Sequence, residues 1–175
     1  MRMDHDHKTI KQETTAFVLN DKLSGVCPAS FHVMTEEERS KVPLLEDGQW
    51  VGLKSPDLHV LVTVGWKQIS PVAMMLSGKS LATHMEKQIR KAMSGFGYKL
   101  DRFQERKIAG VSARGILYEY MAQGVEMYAE SYVMKVDKAI CYFHFYGRTA
   151  RKGESISAWN EILSSVQIQR RNDHA

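Results

Sequence analysis

Residues 98–147, YKLDRFQERKIAGVSARGILYEYMAQGVEMYAESYVMKVDKAICYFHFYG, contain four stretches rich in β-branched and aromatic side chains. Such stretches are typical of strands, and the four cover residues 98–108, 111–122, 125–136 and 139–147. Only two residues separate each strand from the next, namely Ala109-Gly110, Gln123-Gly124 and Asp137-Lys138. Links this short join only antiparallel neighbours. The second half of the chain therefore predicts a four-stranded antiparallel meander.

The last of these strands is apolar or aromatic on both faces. One face carries Ala139, Cys141, Phe143 and Phe145, and the other carries Ile140, Tyr142, His144 and Tyr146. A half-exposed antiparallel strand alternates with charged residues, so we expect both faces of this sheet to be covered. Helices predicted at residues 80–93 and 154–164 are the natural covers. The pattern indicates an α+β fold, an antiparallel sheet of about six or seven strands with helices on both faces (an α/β/α sandwich).

The first half of the chain contains shorter elements. Strands are predicted at residues 14–19, 23–27, 31–34, 49–53 and 58–66. A capping-box pattern from Thr35 to Glu38, and Ser70-Pro71 further on, predict the starts of two short helices. Residues 1–12 are polar and predict a disordered tail, whereas residues 13–170 predict one domain of ordinary size.

The composition is that of a globular protein, with 43% apolar and 25% charged residues. The longest apolar runs, such as 72–76, are far shorter than the roughly 20 residues of a membrane-spanning helix. The N-terminal sequence MRMDHDHKTIKQET lacks the apolar stretch of a secretory signal, which predicts a cytoplasmic protein. Cys27 and Cys141 are too few and too far apart for a disulfide framework or a zinc site, so we expect two buried thiols.

Motifs for metal binding, nucleophilic catalysis or nucleotide binding are incomplete. The run Asp4-His5-Asp6-His7 lies in the predicted tail, and the histidines at 32, 59, 84 and 144 are scattered without an HExxH or CxxC spacing. No GxSxG elbow occurs. The segment Ser77-Gly78-Lys79-Ser80 resembles the end of a phosphate-binding loop, but Ala73 occupies the position of its first glycine. We therefore expect no metal, cofactor or nucleotide.

Three glutamates on neighbouring predicted strands, Glu119, Glu126 and Glu130, offer a candidate acid–base pair. The same side chains could instead form cross-strand ion pairs with Arg114, which we favour.

Basic residues are concentrated in one part of the chain. The candidate basic patch comprises Lys87, Arg90, Lys91, Lys99, Arg102, Arg106 and Lys107. Such a patch can attract an acidic partner, and its alternative is a solvated surface. Interleaved aromatic residues also suit nucleic acid. The formal charge of +4 is low for a nucleic-acid-binding domain and disfavours that interpretation.

The stretch KIAGVSARGILYEYMAQGVEMYAESYVMKVDKAICYFHFYG, followed by AWNEILSSVQI, resembles the PsbP-like superfamily, which includes a photosystem II subunit and a Ran-binding transport factor. The positions that carry the resemblance are Gly110, Ala113, Tyr118, Tyr128, Tyr132, Tyr142, Trp159, Ile162, Leu163, Ser165 and Val166. The resemblance covers residues 98–168 and reaches 17–66 only as an order of strands. It implies a sheet sandwiched by helices and a role in binding or assembly. No segment reproduces a Ran-contact or photosystem motif.

These observations predict a non-enzymatic binding or assembly protein whose partner is another protein, and the basic patch would suit an acidic one. The alternative, from a different class, is small-ligand binding or hydrolysis in an aromatic-lined pocket. Its candidate lining residues are Trp66, Tyr118, Tyr128, Tyr132 and His144. No motif identifies the partner, the ligand or the oligomeric state.

Overall fold

The computed structural model describes residues 13–42 and 49–169, so the tail predicted at residues 1–12 lies outside the described residues. The strands are β1 (Thr14–Leu19), β2 (Leu23–Pro28), β3 (His32–Val33), β4 (Gln49–Ser55), β5 (Val60–Gln68), β6 (Lys99–Ile108), β7 (Val111–Ala122), β8 (Val125–Val136), β9 (Ala139–Arg148) and β10 (Gln167–Ile168). The helices are α1 (Glu36–Ser40), α2 (Pro71–Met74), α3 (Gly78–Ala92) and α4 (Lys152–Ser165). Within these ranges, no helix is long and apolar enough to cross a bilayer.

The large sheet has seven antiparallel strands in the order β3-β4-β5-β9-β8-β7-β6. Its second half is the predicted meander, with strand bounds within a residue or so of those expected. The first hairpin does not join this sheet. It forms a separate three-stranded sheet in the order β1-β2-β10, closed by a short strand that follows α4. The α+β prediction is confirmed, and the second sheet is a feature that the sequence did not predict.

Two of the meander turns have the backbone that two-residue hairpins require. Ala109 and Gly110 have φ values of +51° and +76°, and Gln123 and Gly124 have φ values of +50° and +77°. Left-handed conformations at both turn positions match the twist of the flanking strands, and glycine adopts them at little cost. The short links therefore set both the direction and the register of β6 to β9.

Each side of the large sheet is covered by its own helix. On the α3 side, Leu81 and Met85 pack against Ile116, Tyr118 and Val133. On the α4 side, Trp159, Ile162 and Leu163 pack in a larger core that also contains the inner residues of β1 and β2. The prediction that both faces of the sheet are covered by helices is therefore confirmed, and the small sheet shares the α4 side with its helix.

The helix starts follow from their caps. Ser77 accepts a hydrogen bond from the Ser80 amide, at 3.1 Å, and begins α3 two residues earlier than the apolar periodicity predicts. The segment that resembles a phosphate loop is thus the cap and first turn of α3. At α1, Thr35 and Glu38 form the predicted reciprocal capping box.

Candidate functional site

The five residues predicted to line one pocket lie on opposite sides of the large sheet. Trp66, Tyr128 and Tyr132 belong to the core on the α4 side, whereas Tyr118 belongs to the core on the α3 side. His144 pairs with Ser131, whose side chain points away from that of its neighbour Tyr132. The prediction that the five line a single pocket is therefore wrong, because alternate residues along a strand point to opposite faces.

On the α4 side, two of these tyrosines surround a buried carboxylate. Glu130 is only 5% exposed and accepts hydrogen bonds from the Tyr128 hydroxyl (2.5 Å), the Tyr132 hydroxyl (3.2 Å) and Trp159 Nε1 (2.7 Å). Burial and the neighbouring carboxylate raise the pKa of Tyr132 to about 12, so its hydroxyl keeps its proton. Satisfied in this way, Glu130 joins β8 to α4, and no water-accessible acid–base pair is formed there.

The favoured partner for the glutamates, Arg114, makes a different contact. Its guanidinium lies 3.2 Å from the carboxylate of Glu105 on the neighbouring strand β6. The predicted pairing of Arg114 with Glu119, Glu126 or Glu130 is wrong, because the hairpin register places Glu105 directly opposite Arg114.

The seven residues of the candidate basic patch do not share one surface. The exposed side of α3 carries Lys87, Arg90 and Lys91. The α3 side of β6 carries Lys107, and the opposite side of the same strand, which faces α4, carries Lys99, Arg102 and Arg106. Several are engaged locally: Arg90 with Glu86 at 3.5 Å, Arg102 with Asp101 at 3.3 Å, and Arg106 over the Tyr132 ring at 5.6 Å. They therefore lie on separate surfaces and do not converge on a single site.

The α3 side of the large sheet is covered unequally. Helix α3 packs over β7 and β8. Among the described residues, no helix packs comparably over β5 and β9 on this side. We call this region the open half-face; its residues are Leu61, Thr63, Gly65, Tyr142, His144 and Tyr146, all half-buried except the buried Thr63.

Three rings of β9 form a row across the open half-face. His144 is stacked between Tyr142 and Tyr146, with ring centroids 6.2 Å apart on each side. The Ser131 hydroxyl lies 2.7 Å from His144 Nδ1. Burial lowers the pKa of His144 to about 4, so the ring is uncharged at neutral pH. The row therefore presents flat, uncharged rings held in fixed orientations.

A serine within hydrogen-bond distance of a histidine is the first requirement of nucleophilic catalysis. Ser131 is completely buried, however, between Ala129 and Val133, which pack beneath α3. A substrate carbonyl could not reach its hydroxyl without displacing the helix. The contact thus orients the His144 ring and does not make a serine nucleophile.

One buried hydroxyl beside this row, Thr63 Oγ1, has no hydrogen-bond partner within the described part of the chain, and its residue is 1% exposed. Thr63 lies directly opposite His144 across the β5–β9 pairing. Sequence reasoning missed Thr63, because nothing local in the sequence indicates that β5 pairs with β9.

The histidines and cysteines that the sequence offered as candidate metal ligands are also dispersed. Within the described residues, no three histidine, cysteine or acidic side chains come together as a metal site. His32 Nε2 contacts Glu38 at 3.1 Å, and Asp4 to His7 lie outside the described residues. Cys27 and Cys141 are free and buried, as expected, and burial raises the pKa of Cys141 to about 12.

Comparison with known proteins finds similarity in structure alone. No family model and no curated sequence matches the chain. The solution structure of cyanobacterial PsbP (CyanoP) from Synechocystis sp. PCC 6803 superposes with a TM-score of 0.65, at 12% identity, over 90% of this chain and 94% of that one. The protein has a PsbP-like fold.

Two other structures share this PsbP-like fold. The Ran-binding protein Mog1p of Saccharomyces cerevisiae superposes with a TM-score of 0.60 at 8% identity, over 90% of this chain and 96% of its own. LpqN of Mycobacterium tuberculosis, involved in cell envelope biogenesis, superposes with a TM-score of 0.59 at 10% identity, over 93% and 88% of the two chains. At such low identity, these likenesses establish the fold alone.

Proposed function

We propose that this protein is a non-enzymatic binding or assembly protein and that it binds another protein through the open half-face. Mog1p, which has the same fold, is a Ran-binding protein. This supports a binding role in general, while the choice of surface rests on the chain's own residues. The observation that carries the proposal is the half-buried row of Tyr142, His144 and Tyr146 beside the edge of α3.

Aromatic rings held in place are efficient anchors for a protein partner. They bury a large area on contact, and a ring that is already immobilised loses little conformational entropy when it binds. His144 is fixed by Ser131 and by stacking on both sides. The open half-face therefore has the preorganised, half-buried character of a binding surface.

The polar groups of this surface favour a partner that offers a hydrogen-bond acceptor. In the tautomer in which the Ser131 hydroxyl donates to Nδ1, His144 carries its proton on Nε2. Its Nε2–H can donate to a peptide carbonyl of a bound segment, whereas Thr63 Oγ1 beside it is buried and out of a partner's reach.

Cations at the margins of the open half-face support an acidic partner. Lys54, Lys67 and Arg148 point to the same side of the sheet as Leu61, Ile140 and Tyr146. Lys54 lies 3.9 Å from Glu38, whereas Lys67 and Arg148 have no ion-pair partner among the described residues. Acidic residues flanking an apolar segment would complement this arrangement.

The test is capture of a partner from extract of the native source with the tagged full-length protein. The wild type should recover a stoichiometric protein, and Tyr142→Ala should weaken its binding by roughly tenfold or more, as expected for an aromatic anchor. Phe103→Ala is the matched control, because Phe103 is 50% exposed but lies on β6. Equal capture by the wild type and Tyr142→Ala, or repeated failure of the wild type to recover any protein, contradicts the proposal.

A further inference from the structure

A second surface lies at α2, where three large apolar side chains project into solvent. Val72, Met75 and Leu76 are 76%, 86% and 45% exposed. Their i, i+3, i+4 spacing places them on one side of a single helical turn. We call these three side chains the apolar knob. Single exposed apolar residues are ordinary on a protein surface, but a contiguous group of them commonly marks a contact site.

The knob is held rigidly to the large sheet. Ser70 caps α2 by accepting a hydrogen bond from the Ala73 amide at 3.2 Å, and Pro71 occupies the first turn. Lys135 Nζ donates to the carbonyl oxygens of Met74 (3.3 Å) and Leu76 (2.8 Å). These contacts hold the apolar knob in its exposed position. The conformational entropy of this turn has therefore already been lost on folding and is not lost again on binding.

Four lysines lie close to the knob, either in the fold or along the chain. Lys67 precedes it at the end of β5, Lys79 follows it in the first turn of α3, and Lys138 accepts a backbone hydrogen bond from Ile69 at its base, at 3.2 Å. Together with Lys135, these are four cations, and none has a carboxylate within 4.0 Å in the described part of the chain. Asp137 adjoins Lys138 in sequence but is not among the ion pairs of the described residues.

We propose that the apolar knob docks this protein on an anionic membrane surface. Val72, Met75 and Leu76 would enter the boundary between headgroups and acyl chains, and the lysines would contact the anionic headgroups. A knob that projects outwards suits a bilayer, which accepts apolar side chains without a complementary cavity, whereas a protein partner would need a matching groove. Each lysine near an anionic leaflet adds attraction that salt weakens.

The contact is peripheral and independent of the proposed protein-binding role. It uses the apolar knob and the lysines near it, whereas the protein contact uses the rings of β9, and only Lys67 lies at the margin of both. A membrane-bound state could present the open half-face to a partner, but neither contact requires the other.

The experiment is co-sedimentation of the full-length protein with vesicles of phosphatidylcholine, with and without phosphatidylglycerol. The wild type should bind the anionic vesicles more strongly than the neutral ones, and its bound fraction should fall as salt is added. The double variant Val72→Ser/Met75→Ser should lower the partition coefficient by about tenfold or more, because two apolar side chains no longer leave water. Lys79→Glu/Lys138→Glu, which leaves Lys67 at the margin of the open half-face unchanged, should lower the partition coefficient by a similar factor, because two attractive charges are reversed.

Matched controls use exposed residues elsewhere. Val18→Ser/Val26→Ser alters two exposed valines of the small sheet, and Lys87→Glu/Lys91→Glu alters two exposed lysines of α3. Both should bind anionic vesicles nearly as the wild type does, apart from a small loss from net charge in the second. Thermal unfolding checks that every variant folds.

A probe of the knob itself gives a second readout. Met75→Cys labelled with an environment-sensitive fluorophore should shift to the blue on anionic vesicles, whereas labelled Val18→Cys should not. Failure of the wild type to bind either kind of vesicle, or equal binding by Val72→Ser/Met75→Ser, overturns the proposal. Loss of a captured protein in that variant without any vesicle binding would make the knob a protein contact and overturn it as well. Tyr142→Ala, which leaves the knob intact, separates these outcomes from failure of the proposed function.

Discussion

At the scale of single residues, Glu130 is a buried polar group and His144 a half-buried one, and both are placed there at a cost in free energy. A buried carboxylate is unfavourable unless each oxygen is hydrogen-bonded. Glu130 meets this condition with the two tyrosine hydroxyls and Trp159 Nε1. His144 is held in its neutral form, with Ser131 at Nδ1. The first group stabilises the packing of α4, and the second sets the chemistry of the open half-face.

The neutral His144 should make folding stability depend on pH. Its pKa in the folded protein is about 4, below the value of roughly 6.5 expected in the unfolded chain. The unfolded state therefore binds the proton first, so stability present at neutral pH is lost as the pH falls below about 6.5 and the loss is complete near 4. When the pH is lowered from about 7.5 to 5, the free energy of unfolding of the wild type should fall by roughly 1–2 kcal/mol more than that of His144→Phe. Urea unfolding at both pH values measures this difference.

His144→Phe keeps an aromatic ring at this position and removes the titrating group, so carboxylates that titrate in the same range affect both proteins alike. Equal pH dependence of the two proteins would mean that the fold does not hold His144 in its neutral form. The nuclear magnetic resonance titration of the His144 ring measures the same pKa directly.

At the scale of elements, the central strands approach one another so closely that one position admits only glycine. A Cβ atom at Gly115 of β7 would overlap the carbonyl oxygen of Ser131 and lie 2.5 Å from Tyr132 Cδ1. Both neighbours belong to β8, and a backbone oxygen within the ladder cannot move aside cheaply. Gly115 thus allows the large rings of β8 to pack against β7.

We expect Gly115→Ala to lower the free energy of unfolding by about 3 kcal/mol through overpacking. Gly153→Ala is the matched change, because nothing lies within 4 Å of a Cβ at that position in the first turn of α4. It should raise the free energy of unfolding by about 0.5–1 kcal/mol, since alanine restricts the unfolded chain and favours helix. Urea unfolding measures both, and a Gly115→Ala protein as stable as the wild type would rule out the close approach of β7 and β8.

The elements themselves are largely predictable. Two-residue links and dense β-branched stretches are local signals, so the bounds of β6 to β9 follow from them. The same links also imply the register: Tyr118 must pair with Ala129, and His144 with Ser131. That register is enough to place Tyr118 and His144 on the side opposite Tyr128 and Tyr132 from the sequence alone. The apolar periodicity places the start of α3 too late, because the cap, Ser77, precedes the first apolar residue of the helix.

At the scale of the whole molecule, one hydroxyl joins the small sheet to α4. Ser165 Oγ accepts a hydrogen bond from the Val26 amide and donates to the Val26 carbonyl, each at 2.9 Å, and lies 2.7 Å from the Ile162 carbonyl. Val166 and Leu163 on either side of it are buried in the large core. The hydrophobic-Ser-hydrophobic step that carries part of the sequence resemblance thus has a structural role, since it holds β2 against the helix.

Removal of this hydroxyl should loosen the small sheet more than the large one. Ser165→Ala leaves the Val26 amide without its partner and should lower the free energy of unfolding by about 1–2 kcal/mol. Hydrogen exchange at the amides of β1 and β2 should become faster, while exchange in β7 and β8 changes only with global stability. Ser164→Ala, at an exposed position of the same helix, should change stability by less than about 0.5 kcal/mol. Unchanged exchange in β1 and β2 would show that the two sheets are coupled by other contacts.

The sequence by itself determines the meander, the helices that cover it and the PsbP-like resemblance. Turns, caps and apolar periodicity depend on residues that are close in sequence, so they can be recognised without the tertiary structure. The candidate site arises from contacts between distant segments. β5 pairs with β9 and sets Thr63 beside His144, α3 covers β7 and β8 but leaves the open half-face, and α4 brings Trp159 to Glu130. Such contacts form only when separate elements pack, so the surfaces proposed for partner and membrane could be located only in the folded chain.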